Sequence, residues 1–284
     1  MNLAFIASLW TLTGHPPGRE WPLERQFEAM ADAGFDGVVG ILTPRHATLA
    51  AQFGLKHLVG FVAARSASGA ERAVRQQIHA GARSITVLLG NPQMPPALAA
   101  AAWAKLDALA RRHGVSISLE THRDRCTETP EKIVAIAAAY RAATGRVLQL
   151  TFDFSHLAVA RVLPLHRMST VLPRSLIRRI EQLHLRPHNA HHAQLPARLR
   201  GRVTAETAAY LEAVTQFYRR WRSAVGREQR VLLVCPEVGP ISSGYAVEGF
   251  DSPWADACFL KQQLQRLGRI VDADMRTPIT PQRC

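Results

Sequence analysis

Val147-Leu148-Gln149-Leu150-Thr151-Phe152-Asp153 is the stretch on which the fold turns. Side chains alternate across a β-strand, so fixing one inward residue fixes its whole file. With Asp153 inward, Thr151, Gln149 and Val147 share its side, while Phe152, Leu150 and Leu148 face the other way. One face then carries a file ending in an acid, and the other a row of large apolar residues. That division is expected of a parallel strand roofed by helices.

Three further segments divide the same way. In Val115–Glu120, Glu120 shares its file with Ser118 and Ser116, leaving Leu119, Ile117 and Val115 outside. In Gln182–Arg186, His184 stands with Gln182 and Arg186 against Leu183 and Leu185. In Val231–Glu237, Glu237 stands with Cys235 and Leu233, and Pro236, Val234 and Leu232 face outward. Leu3–Ala7, Gly37–Ile41, His57–Val62 and Ser84–Leu88 complete a set of eight short apolar runs.

Helix-like stretches separate them: Leu23–Ala33, Pro44–Phe53, Gly69–Ala80, Pro96–His113, Pro130–Ala143, Ser169–Ile180, Thr204–Val225 and Pro253–Leu267. Thr129-Pro130 is a helix start, and Gly34, Gly54, Gly81 and Gly114 follow helix ends. Strands joined by helices of this length make right-handed crossovers and a parallel sheet. Eight units in a row, with no glycine-rich dinucleotide loop after the first strand, favour a closed barrel over an open sheet. The expected fold is α/β, a single (β/α)8 barrel over residues 1–267, with 268–284 an irregular tail. Three long connections, Ser8–Glu20, Pro187–Val203 and Val238–Ser252, follow strands and so project from the C-terminal mouth, where barrel active sites sit.

Composition fits this reading. Apolar residues make up 47% and charged residues 20% of 284, enough for a core without staples. Cys126, Cys235, Cys258 and Cys284 show no paired spacing, which fits a reducing compartment. The run Leu3–Leu9 is too short for a membrane span and has no basic region ahead of it, so the expected place is the cytoplasm, with no membrane partner. The net charge of +13 raises nucleic acid as a partner, but the arginines are spread through helices, as solvated faces, and that argues against it.

Glu120, Asp153, His184 and Glu237 therefore arrive at the ends of neighbouring strands about 5 Å apart and can converge. Three carboxylates and an imidazole in a buried space cannot all stay charged and unpaired. One divalent metal ion resolves this. Oxygen-rich ligation suits Mn²⁺ or Mg²⁺, with Co²⁺ and Zn²⁺ also admissible.

Ser118-Leu119-Glu120-Thr121-His122, Asp153-Phe154-Ser155-His156, Leu183-His184-Leu185 and Cys235-Pro236-Glu237 resemble the motifs of the xylose isomerase-like TIM barrel superfamily. That group holds sugar phosphate isomerases and epimerases, dehydratases and the family 2 abasic-site endonucleases. The resemblance implies a metal held by Glu120, Asp153, His184 and Glu237, with His156 turned to the substrate. In the ketose 3-epimerase branch the two glutamates also move the proton, which gives Glu120 and Glu237 the catalytic role, acting through a metal-stabilised enediolate. Where that branch has an arginine beyond its histidine ligand, this chain reads His188-Asn189-Ala190-His191-His192.

The implied function is a metal-dependent isomerase or epimerase of a small polyhydroxylated carbonyl compound, with room for a homo-oligomer. His156, Arg186, His122, His188 and Trp10 are the candidate substrate contacts. Trp10, with His15 and Trp21, brackets the first long loop and offers an apolar wall. His188, His191 and His192 are expected to line the mouth, with a second metal as the rival reading. A dehydratase on the same site is the alternative. An abasic-site endonuclease ranks lower, because Gly60–Arg65 and Leu88–Asn91 supply no additional histidines. A barrel that binds without catalysis ranks last.

Overall fold

The computed structural model describes residues 1–226, 228–245 and 252–276. Each early strand is followed by its helix: β1 (Asn2–Ser8) by α1 (Leu23–Asp32), β2 (Gly37–Gly40) by α2 (Pro44–Gln52), β3 (His57–Ala64) by α3 (Ala67–His79). Then come β4 (Ser84–Leu89) and α4 (Pro96–Arg112), β5 (Ser116–Glu120) and α5 (Pro130–Thr144), β6 (Leu150–Phe152) and α6 (Phe154–Arg161). A one-turn α7 (Arg174–Ile177) precedes β7 (Ile180–Leu185), and a small hairpin of β8 (Arg198–Leu199) and β9 (Arg202–Val203) follows. The chain continues with α8 (Ala205–Val225), β10 (Val231–Pro236) and α9 (Pro253–Arg276).

Eight parallel strands close in the order β1-β10-β7-β6-β5-β4-β3-β2, a single (β/α)8 barrel. The closing seam pairs Asn2 to Phe5 with Val231 to Val234 on one side and Ile6 to Ser8 with Gly37 to Val39 on the other. Local chemistry starts the helices. Thr43 and His46 form a capping box before α2, and the side chains of Ser66, Thr129 and Thr204 accept from backbone amides of α3, α5 and α8. Pro44, Pro96 and Pro130 occupy first helical positions, where no amide proton is needed.

The inward and outward files fall as the alternation demands. Leu148, Leu150 and Phe152 are buried in the layer between strands and helices, together with Leu183, Leu185, Leu232 and Val234. Inside the barrel, Ile6, Val39, Val59 and Cys235 form an apolar plug with Phe61 and Leu233. The opposite interior half is polar: the Ser118 and Thr151 hydroxyls are 2.6 Å apart, and Thr151 also bonds to Thr86.

Two expectations are corrected. The helix anticipated at Ser169–Ile180 is not there: α6 begins immediately after Asp153, a 3-10 turn covers Leu165–Ser169, and only Arg174–Ile177 is α-helical. Pro164 and Pro173 lack the amide protons a continuous helix requires, and the Asp153 carboxylate caps α6 instead. At the C-terminal end, residues 268–276 extend α9 rather than forming a tail. Gly268 is not a stop. A Cβ there would lie 2.4 Å from Leu3 Cδ1, so the glycine lets α9 pass close to β1, and Val271 is buried beyond it. Residues 277–284 lie outside the described residues. No helix among the described residues is long and apolar enough to cross a membrane.

Candidate metal centre and pocket

Glu120 ends β5, Asp153 follows β6, His184 lies on β7 and Glu237 follows β10. These four strands are consecutive in the barrel, so their mouth-side ends meet at one point. One ligand atom from each residue lies within 4.8 Å of the others, and all four are buried.

His184 Nδ1 faces Glu120 Oε1 at 3.2 Å and Glu237 Oε2 at 3.4 Å. Its other edge, Nε2, lies 2.5 Å from the Gln182 amide. For Nδ1 to offer a lone pair to a cation, Nε2 must carry the ring proton; the Gln182 amide presents its nitrogen to the ring here, and turning the amide over would place its oxygen to accept that proton. Asp153 works in two directions. Its Oδ1 accepts from the Ser155 amide at 2.9 Å and the Ser155 hydroxyl at 2.5 Å, while Oδ2 receives the Arg186 guanidinium at 2.5 Å. Arg186 also donates to Glu237 Oε2 at 3.0 Å and to the Glu237 and Ala193 carbonyl oxygens. Glu120 Oε2 is buried with no hydrogen-bond partner.

The donor set fits a divalent cation. Three carboxylates against the single fixed charge of Arg186 leave two negative charges, which one dication beside a neutral imidazole would cancel. Without a cation, His184 carries part of the compensation. Burial alone would push its imidazole down, but Glu237 and Glu120 outweigh burial and hold it well above its ordinary value. Burial would likewise raise Glu237, yet His184 and then Arg186 bring its carboxyl below the usual range.

A cavity of about 480 Å³ opens above this cluster. Glu120, Glu237, Arg186, His122, His156 and Trp10 line it. The His122 and His156 rings lie 3.7 Å apart, centroid to centroid. Burial pushes both imidazoles down, most strongly at His156, where His122 and Arg186 add to it. His156 Nδ1 is buried without a partner. Trp10 reaches over from the first loop, meeting Tyr245 edge-on at 5.3 Å and lying 5.9 Å from the Arg186 guanidinium carbon.

Most of the candidates from the sequence therefore gather in one place, and His188 does not. It is buried behind the centre, edge-on to Tyr210 and Phe154, with Nδ1 bonded to the Arg186 carbonyl oxygen at 2.9 Å. Phe154, the first residue of α6, packs 5.6 Å from the His188 ring, centroid to centroid. His191 and His192 are exposed and fold onto Asn189. Among the described residues, Glu120, Asp153, His184 and Glu237 form the one group able to close on an ion.

Tyr245, which no sequence pattern singled out, lines the cavity with its ring 5.3 Å from the Arg186 guanidinium carbon. It sits in the third long loop, and that loop's position after a strand was the available signal. Gln194 ties the second loop to the third: its amide donates to the Gly239 carbonyl oxygen at 3.0 Å and accepts from the Gly239 amide at 2.6 Å.

No protein-family model matches the chain, and no curated protein matches it by sequence. Solved structures do match in shape. A D-tagatose 3-epimerase-like protein superposes with a TM-score of 0.60 at 13% identity, over 97% of this chain and 100% of that one. D-allulose 3-epimerase from Methylomonas sp., in complex with D-allulose, gives 0.57 at 13% identity over 95% and 97%. A xylose isomerase-like TIM barrel protein from Mycobacterium smegmatis, in complex with magnesium, gives 0.56 at 15% identity over 94% and 97%. The fold is the xylose isomerase-like TIM barrel.

Proposed function

We propose that the chain is an isomerase or epimerase that uses one divalent cation and acts on a small α-hydroxy carbonyl compound. The observation that carries this reading is the pair of glutamates, Glu120 and Glu237, brought from non-adjacent strands to either side of the His184 Nδ1 atom. The allulose complex and the magnesium complex of structural neighbours support the same class of substrate and cofactor.

Glu120, Asp153, His184 and Glu237 would hold the cation, and the oxygen-rich set favours Mn²⁺ or Mg²⁺, with Zn²⁺ or Co²⁺ admitted. When bound, such a cation polarises a carbonyl group and eases loss of the neighbouring C–H proton. Glu120 is the base on one face, because its Oε2 has no partner among the described residues that a proton would have to displace. Glu237 serves the opposite face, with Arg186 holding its Oε2 in place. The neutral rings of His122 and His156 bind substrate hydroxyls. Trp10 and Tyr245 cover the mouth and keep bulk water from the exposed carbanionic carbon.

Abasic-site cleavage is disfavoured by the described lining from β2, β3 and β4, where Val39, Gly40, Phe61 and Leu88 offer no further metal ligand.

Metal content measured by elemental mass spectrometry tests the centre: about one Mn, Mg, Zn or Co per chain in the wild type, lost in Glu237→Ala. No metal after gentle purification and none on reconstitution sinks the reading. Incubation with α-hydroxy ketones in deuterated water then separates the chemistries by NMR. Deuterium at the carbon beside the carbonyl without loss of water indicates isomerisation, and loss of water indicates the dehydratase alternative.

A further inference from the structure

The barrel order divides the mouth in two. Going round the barrel, β10, β7, β6 and β5 are consecutive and carry the charged cluster, and β4, β3, β2 and β1 are consecutive on the other side. That second half presents Leu88, Phe61, Val39, Ile41 and Leu9 to the same cavity. Ile41 is 70% exposed and stands at the lip of this apolar wall.

Two polar groups on this side are partly engaged. Gln26 donates its amide to the Trp21 carbonyl oxygen at 3.0 Å, and His46 Nδ1 meets the Thr43 amide and hydroxyl at the start of α2. Glu20 and Thr13 stand at the exposed rim, and the Ser8 hydroxyl remains deeper in the wall. Among the described lining residues the one fixed cation is Arg186, and it is held by Asp153 and Glu237.

We infer that the substrate is amphipathic: a hydroxy carbonyl head at the charged half, and an apolar alkyl or aryl tail against β1–β4. This rests on the metal-centre reading for the head, while the tail is read from the wall alone. A chain hydroxylated along its whole length would bury hydroxyls against Leu88, Phe61 and Val39, where each lost hydrogen bond to water goes unreplaced. A phosphate or carboxylate tail would meet no free cation there, and Glu20 at the rim would repel it. Burial of methylene groups favours the apolar tail instead, at roughly fourfold in affinity for each methylene fully covered.

Three chelating probes with the same head test this by calorimetry on Mn²⁺-loaded protein: acetohydroxamate, hexanohydroxamate and the hydroxylated six-carbon gluconohydroxamate. Hexanohydroxamate is expected to bind roughly tenfold or more tighter than either of the others, since its extra methylenes are at least partly covered. Ile41→Asn, an exposed change that leaves the core intact, should shrink that ratio severalfold, and Phe61→Ala should shrink it further. Gluconohydroxamate binding as tightly as hexanohydroxamate, or no measurable advantage for the alkyl tail, overturns the inference. Chelator-treated protein separates the two claims. If removing the metal leaves acetohydroxamate binding unchanged, the metal-centre reading fails, while the ordering of the three affinities still decides the tail.

Discussion

The Arg186 guanidinium lies 2.5 Å from Asp153 Oδ2 and is buried, and the same group reaches Glu237 Oε2 at 3.0 Å. A protein cation is thus wedged between two of the four candidate ligands. It balances charge when the centre holds no metal and fixes both carboxylates for when it does.

Replacing Arg186 by methionine leaves those carboxylates buried without their counter-charge. Breaking one partner of a buried pair costs about 3–5 kcal/mol, so the chelator-treated variant should unfold at markedly lower urea than the wild type. Saturating Mn²⁺ should recover more stability in the variant than in the wild type. Equal metal-induced shifts in the two proteins would show that Arg186 does not compensate the cluster.

Gln182 is predicted to set the orientation of His184 through the Nε2 edge. Gln182→Met keeps the volume and removes the acceptor. Metal affinity, read by competition with a coloured chelator, should fall about 10- to 100-fold with the four ligands intact. An unchanged affinity would remove Gln182 from the centre.

The buried His188 gives a pH dependence with a definite sign. Burial depresses its imidazole to about 4 from an ordinary value of about 6.5, so between those values the unfolded chain binds a proton that the folded chain refuses. Stability should therefore fall as pH drops from 6.5 towards 4, at up to about 1.4 kcal/mol per pH unit from this one group. Urea titrations of wild type and His188→Gln across this window check it. The variant should show the shallower loss, and parallel curves would assign the dependence elsewhere.

Gly239 carries the loop that meets Trp10. A Cβ at this position would sit 2.2 Å from Trp10 Cη2, so Gly239→Ala must displace the indole or the loop. Overpacking of this kind costs about 1–3 kcal/mol. Thermal unfolding should show the loss, and Trp10→Leu in the same chain should recover most of it. Additive effects of the two changes would mean the two residues do not press on each other.

The ligand set was legible because each ligand lies at or near the end of a strand whose alternation is strict: Glu120 above Ser118, Glu237 above Cys235, Asp153 above Thr151, His184 above Gln182. The start of α6 was not, because Asp153 serves as a helix cap as well as a candidate ligand, and in sequence the second use hides the helix that follows. Residues 268–284 read as a tail in sequence alone, since the close approach of Gly268 to Leu3 depends on where β1 lies in space. The apolar wall was hidden for a different reason. Val39, Phe61 and Leu88 each look like ordinary strand residues, and only closure of the barrel sets them side by side.

The double use of Asp153 has a consequence for how the protein would change over time. Because one carboxylate oxygen starts α6 and the other faces the centre, a substitution there is judged twice, once by the fold and once by the chemistry. Asparagine can still cap but carries no charge, and glutamate keeps the charge but alters the reach. Such a position has few neutral neighbours in sequence space. Ile41, which answers to the cavity wall alone, is where drift can accumulate and new preferences can arise without disturbing the charged half.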